Sequence, residues 1–289
     1  MFVLFTDTDT DLTPVEAKHY GYKMISMPYI VNDQEIRPYV DFKEFDFKSF
    51  YNSLRNGLLP TTCGLNSEIY KQYFEEEFKK GNDILYVHFS KAMTCTFDSM
   101  NIALEELKEI YPDRKVYTID TKAITICSLN IVKEIGDMYL EGKTLEEILK
   151  WAETEVDHFA QYFYADNLKF FKRSGRVSNI AGIMGDLIGI KPIIHMSQEG
   201  KMVNVAKVKG RLKALQTLVK YMEDLGDDIE NHRIIIGHTD AEEIAKLLEE
   251  MIKEKFGNNL RIEYAIVNPT AGSHCGPDGV GVSFHCKHR

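Results

Sequence analysis

Two hydroxyl-rich stretches offer the most chemistry in this chain: Pro60-Thr61-Thr62-Cys63 and Ser90-Lys91-Ala92-Met93-Thr94-Cys95-Thr96. Each is expected just before a helix, where the first backbone N–H groups lack intrahelical partners and the helix dipole is positive. Hydroxyls added to such an end make a neutral cradle for a carboxylate or phosphate. No His or acid lies within either stretch to activate a nucleophile, so anion holding is the first reading of both.

Other constellations support different chemistries. Thr6-Asp7-Thr8-Asp9-Thr10-Asp11 follows a first strand, where α/β proteins place ligand contacts. Its carboxylates suit either a turn-organising role or a Mg²⁺-dependent phosphatase of the haloacid-dehalogenase type, with Asp7 as nucleophile and Asp9 as general acid. Asp11 stands where that pattern has Thr, and the one acidic pair on offer for the metal, Asp227-Asp228, ends a helix and does not follow a strand. His274-Cys275-Gly276-Pro277-Asp278-Gly279 reads equally as a tight turn or as a backbone approach to a ligand, with His274 donating to an anion. Cys63, Cys95 and Cys275 with His274 would make a zinc site if their loops converged, but none has Cys-x-x-Cys spacing. No metal or cofactor is expected.

Those residues need a scaffold, and the chain has the length for one. At 289 residues it suits two ordinary domains or one large one. A net charge of −9 argues against non-specific nucleic-acid binding. The charge is uneven: Lys169–Lys213 carries ten Lys/Arg and two acids, about +8, against −17 for the rest. That stretch is either a solvated face or a docking patch for an acidic partner. Five unpaired-looking cysteines suggest a reducing cytoplasm. The opening Met1-Phe-Val-Leu-Phe reads as a strand and not as a signal peptide, and no apolar run approaches a membrane span.

Short apolar runs alternate with amphipathic stretches, the α/β pattern. Strands are expected at Phe2–Phe5, Ile84–Phe89, Val116–Ile119, Gln161–Tyr164, Lys191–His195, Met202–Val208, Ile234–Gly237, Arg261–Val267 and Gly281–His285. Helices are expected at Ser67–Lys80, Phe97–Ile110, Ser128–Leu140, Leu145–His158, Leu212–Leu225 and Ala241–Phe256. The spacing predicts a mostly parallel sheet flanked by helices in an N-terminal domain, residues 1–158. A mixed sheet with helices and a hairpin across Gln198-Glu-Gly200 is expected in a C-terminal domain, residues 159–289. The glycine-spaced apolar run Ile180–Ile190 serves either helix packing or an apolar pocket wall.

The ordered set of motifs resembles the DegV family of bacterial fatty-acid-binding proteins. The matching residues are Thr6-Asp7-Thr8 with Asp11-Leu12, Pro60-Thr61-Thr62, Ser90 with Met93-Thr94-Cys95-Thr96-Phe97, Asp120-Thr121-Lys122, Leu168 to Ser178 around Gly175-Arg176, Ile190-Lys191-Pro192, Gly200-Lys201, and His274 with Gly276-Pro277. The resemblance implies a ligand tunnel between the two domains and a non-enzymatic role. A long-chain fatty acid would lie in the tunnel and be presented to a separate fatty acid kinase catalytic subunit, which makes the acyl phosphate. Its carboxylate would be held by Thr62 and Thr94 with His274 nearby, and Thr61, Ser90 and Gly276 complete the implied site. Arg176, Lys209 and Arg211 are the residues implied to face the kinase. Thr94 stands for the family's Ser, Cys95 for Gly, Cys63 for Ser and Ser174 for the first Gly of a pair. The hydroxyls are kept, while the loop shape around them differs.

Overall fold

A computed structural model describes residues 2–178 and 189–289. Most of the Ile180–Ile190 run lies outside the described residues. In chain order the elements are β1 (Phe2–Asp7), α1 (Pro14–Tyr20), β2 (Tyr22–Ile25), β3 (Tyr29–Val31), β4 (Gln34–Ile36), α2 (Phe47–Arg55), β5 (Thr61–Thr62) and α3 (Ser67–Lys79). Next come β6 (Asp83–His88), α4 (Thr96–Ile110), β7 (Val116–Asp120), α5 (Ile126–Leu140), α6 (Leu145–Glu155), β8 (Phe159–Tyr164), α7 (Lys169–Ser174) and β9 (Val177–Ser178). The chain closes with β10 (Ile190–Met196), β11 (Met202–Lys209), α8 (Arg211–Leu225), β12 (Arg233–His238), α9 (Glu242–Phe256), β13 (Arg261–Ile266), α10 (Pro269–Cys275) and β14 (Val280–His285).

Among the described residues, β2-β1-β6-β7 form a fully parallel sheet, and β13-β12-β14-β8-β10-β11-β9 form a mixed one. Helical crossovers cover a parallel sheet on both faces, which is why β6 is buried along almost its whole length. The β10–β11 hairpin is antiparallel with a register shift at Ile193/Ile194. Its turn needs Gly200: φ is +75°, and a Cβ there would lie 2.1 Å from Ser90 Oγ.

Helix ends follow their sequence signals. Thr13 and Glu16 form a reciprocal cap on α1 with Pro14 at its first position, and Thr144 and Glu147 do the same for α6. The helix expected to reach His158 ends at Glu155, and Val156–His158 tightens into a 3-10 turn. Residues 14–62, where the sequence reading names no element, form α1, the edge strand β2 of the parallel sheet, α2 and the small antiparallel sheet β4-β3-β5. Helix α5 lies between the two large sheets. It touches α1 on one side and β8, β12 and β14 on the other, and it is buried over most of its length.

Candidate ligand-binding site

A cavity of about 260 Å³ lies between the sheets, roughly twenty times the space a single water needs. Its walls come from the loop after β1, from β5, the loop before α4, the start of α5, β8, the ends of β12 and β14, and α10. Apolar side chains dominate the lining, among them Met27, Phe89, Phe163, Phe171, Met202 and Val267. Thr62, Thr94 and His274 are half-buried and Arg176 is exposed, whereas Asp9, Gln161 and His238 are buried. The first four therefore mark the mouth and the last three the interior.

The sequence-predicted hydroxyls meet at that mouth by a different route from the one expected. Thr61 and Thr62 do not stand at a helix end; they form β5, paired with Ile30 and Tyr29. Asn66 caps α3 in their place. Thr62 Oγ1 lies 2.9 Å from His274 Nε2. The His274 segment, read from sequence as a turn or a ligand approach, forms the last part of α10, which Asn268 caps. Burial, and then the guanidinium groups of Arg176 and Arg173, push the His274 imidazole down to about 4, so it is neutral near pH 7. Thr94 stands two residues before α4, with Cys95 at the N-cap, and its Oγ1 accepts from the Thr96 N–H at 3.1 Å. Its own hydroxyl proton has no partner among the described residues.

The remaining predicted residues are placed as follows. Ser90 is fully buried, donates to Gly200 O at 2.8 Å and accepts from Ala92 N–H at 3.2 Å. It pins the Thr94 loop to the β10–β11 turn and does not line the cavity. Thr61 is exposed. Gly276, at φ +73°, packs where any Cβ would meet the Phe170 ring at 2.3 Å. Arg176 lines the cavity and donates to Ser174 O. Lys209 is exposed, and Arg211 pairs with Asp166 at 2.7 Å. The structure thus brings Thr62, Thr94, His274 and Arg176 together and sets Lys209 and Arg211 outside the lining.

The Asp7–Asp11 turn is a buried scaffold. Asp7 Oδ1 accepts from Asp9 N–H at 3.0 Å, and Oδ2 accepts from the Tyr86 hydroxyl at 3.0 Å and Phe89 N–H at 3.1 Å. A carboxylate whose two oxygens are spent in this way is poorly placed to attack phosphorus. Asp11 Oδ1 accepts from both the backbone and the side-chain amide of Asn268 at 2.8 Å. Burial raises all three carboxyls: Asp7 well above its usual value, Asp9 to about 7 and Asp11 to about 8. Cys63, Cys95 and Cys275 do converge on the cavity with His274. Burial, however, holds the Cys275 thiol up at about 12, unfavourable for a thiolate ligand. Among the described residues no group of three or more His, Cys, Asp or Glu side chains is placed to hold a metal ion.

Sequence reasoning missed Thr125, Gln161, His238 and Thr239 in the lining. Their only signal is position: His238 and Thr239 stand at the carboxyl end of a strand, where open α/β sheets bind ligands.

The comparisons agree with this architecture. The protein from Thermus thermophilus described as a fatty-acid-binding DegV family protein superposes with a TM-score of 0.87 over 99% of both chains at 21% identity. The fatty acid kinase B3 protein of Streptococcus pneumoniae, solved with linoleic acid, gives 0.80 over 98% of this chain and 99% of that one at 18% identity. In sequence, a DegV domain-containing protein of Clostridium perfringens is 36% identical over 98% of this chain and 97% of its own length. The family model described as "uncharacterised protein, DegV family" matches residues 1–287. With that span and that relative, the chain belongs to the DegV family.

Proposed function

We propose that the protein binds a long-chain fatty acid in the cavity, holds its carboxylate at the mouth through Thr62 and Thr94, and presents it to a separate kinase subunit for conversion to an acyl phosphate. The observation that carries the reading is an apolar cavity whose mouth holds a hydroxyl proton with no other partner among the described residues, that of Thr94, beside the Thr62–His274 pair. His274 is neutral near pH 7. With its proton on Nε2 it donates to Thr62 Oγ1, which frees the Thr62 proton for the incoming carboxylate. Arg176 adds a cation at the same opening.

The division of labour follows from magnitudes. Burying a methylene is worth about 0.8 kcal/mol, so roughly 14 of them supply on the order of 11 kcal/mol before losses. A hydrogen bond to a charged group nets about 1.5–3 kcal/mol. The tail sets affinity and the hydroxyls set orientation, which leaves the carboxylate where a partner can reach it. Lys209 is exposed, and with Arg176 and Arg211 it supplies the positive rim for such a partner. The related Streptococcus protein is named as part of a fatty acid kinase, which supports the choice of partner.

On this reading the protein works in the cytoplasm, where its five free cysteines stay reduced. Among the described residues no helix is long and apolar enough to cross a membrane. Mass spectrometry of the denatured purified protein is expected to release about one fatty acid per chain. Preparations that carry no acid, and take none up from solution, overturn the reading.

A further inference from the structure

Hydrogen-bond accounting separates two kinds of polar group in the cavity wall. Most are committed to the protein. Gln161 accepts from Cys127 N–H and donates to Thr125 Oγ1, Thr270 donates to Met27 O, and Thr239 accepts from Gly279 N–H. In the interior, among the described residues, three wall residues keep a polar group without a partner: Tyr164, whose hydroxyl belongs to the cluster packed under α8, and then Asp9 and His238. Asp9 is only 5% exposed, and its Oδ1 is buried with no hydrogen-bond partner among the described residues. His238 is 4% exposed and its Nδ1 accepts from Ala241 N–H at 3.2 Å. That bond fixes the neutral tautomer with the proton on Nε2, and Nε2 has no partner among the described residues.

The two stand on one stretch of wall. Asp9 O accepts from Thr125 N–H at 2.7 Å. The next residue, Ile126, packs so closely on Gly237 that a Cβ there would lie 2.4 Å from it. Gly237 in turn precedes His238. Buried polar groups are normally paired, and a saturated acyl chain has nothing to pair them with.

We infer that Asp9 and His238 form an interior polar subsite for a hydroxyl on the acyl chain, so that this protein selects hydroxylated fatty acids over plain ones. A hydroxyl donates its proton to the Asp9 carboxyl and accepts from His238 Nε2–H, while a methylene at the same depth leaves both unpaired. This rests on the fatty-acid reading above and adds the substrate class.

The test is competition binding to delipidated full-length protein with octadecanoic acid and its 10-, 12- and 18-hydroxy derivatives. At least one hydroxy isomer is expected to bind about tenfold tighter or more than octadecanoic acid. That advantage, read within each variant as the ratio of its affinities for the hydroxy and the plain acid, should disappear in Asp9→Leu and in His238→Phe. Asp9→Asn, which keeps the shape and a hydrogen-bonding head, should retain part of the advantage and guards against a folding artefact. If octadecanoic acid binds and no hydroxy isomer gains over it, or if the gain survives in both apolar variants, this inference falls and fatty-acid binding stands. If none of the four acids binds, both fall.

Discussion

Thr94 accepts from the backbone of α4 and keeps its proton to give. Truncating it to alanine removes a donor to a carboxylate without emptying the apolar cavity. Thr94→Ala is expected to weaken retention of a saturated fatty acid by about 1.5–3 kcal/mol, roughly ten- to a hundredfold, with little change in melting temperature of the ligand-free protein. Unchanged affinity would remove Thr94 from the site. The buried acids make a second residue-scale prediction. Asp9 and Asp11 have ordinary values near 3.8 that burial raises to about 7 and about 8. The unfolded chain loses these protons near pH 4 and the folded one keeps them, so their contribution to stability falls as pH rises between those limits. His274 and His195, both pushed down to about 4 by burial, act in the opposite direction up to about 6.5. The clearest decline should therefore run from about pH 6.5 to 8. Asp9→Asn should out-stabilise the wild type by a margin that grows with pH to about 7 and then levels off in urea titrations. A margin independent of pH from 5 to 8 would show that Asp9 titrates normally.

At the scale of elements, the cavity depends on how closely β14 approaches β8. A Cβ on Gly281 would lie 2.5 Å from Phe163 Cβ and 3.1 Å from Tyr162 O, and backbone atoms cannot swing aside. Gly281→Val is therefore expected to cost about 1–3 kcal/mol by overpacking and to lower fatty-acid affinity by crowding Phe163 into the lining; a melting point within a degree of wild type contradicts the packing described. Elements of this kind were readable from sequence. β8 and β14 are apolar runs bounded by polar or glycine-containing turns, and α3 to α6, α8 and α9 carry long periodic faces, with side-chain caps on α3 and α6. What escaped is short or carries weak propensity. β5 is two residues long and exists only through its pairing with β3. α10 is seven residues long with Thr, Gly and Ser, weak helix formers, among its first five, and it is held by the Asn268 cap and burial. The contact of Thr62 with His274 joins those two elements, so no local pattern could predict it; the residue types suggested each as an anion contact, and only the family resemblance put both in one site. Thr94 was legible because the start of α4 was.

For the molecule as a whole, the two sheets share one helix. α5 is wedged between them, and its polar side chains serve the second half: Asn130 donates to Arg233 O, while Glu134 and Asp137 bind the Arg233 guanidinium at 2.8 and 2.7 Å. Lys133 bridges Glu16 of α1 and Glu263 of β13. Residues 1–158 and 159–289, proposed as two domains, therefore cannot separate without stripping α5 of one set of partners. Arg233 itself is 1% exposed, and breaking a buried ion network by removing one partner costs about 3–5 kcal/mol. Calorimetry of the intact chain is expected to show one cooperative transition, and Arg233→Ala should shift that whole transition downward without splitting it. Because the cavity is walled by both halves, a bound fatty acid should raise the same single transition, by about 2.7 kcal/mol at a hundredfold excess over its dissociation constant. Two resolved transitions, with only one of them responding to ligand, would mean that the halves fold independently and that the cavity belongs to one of them.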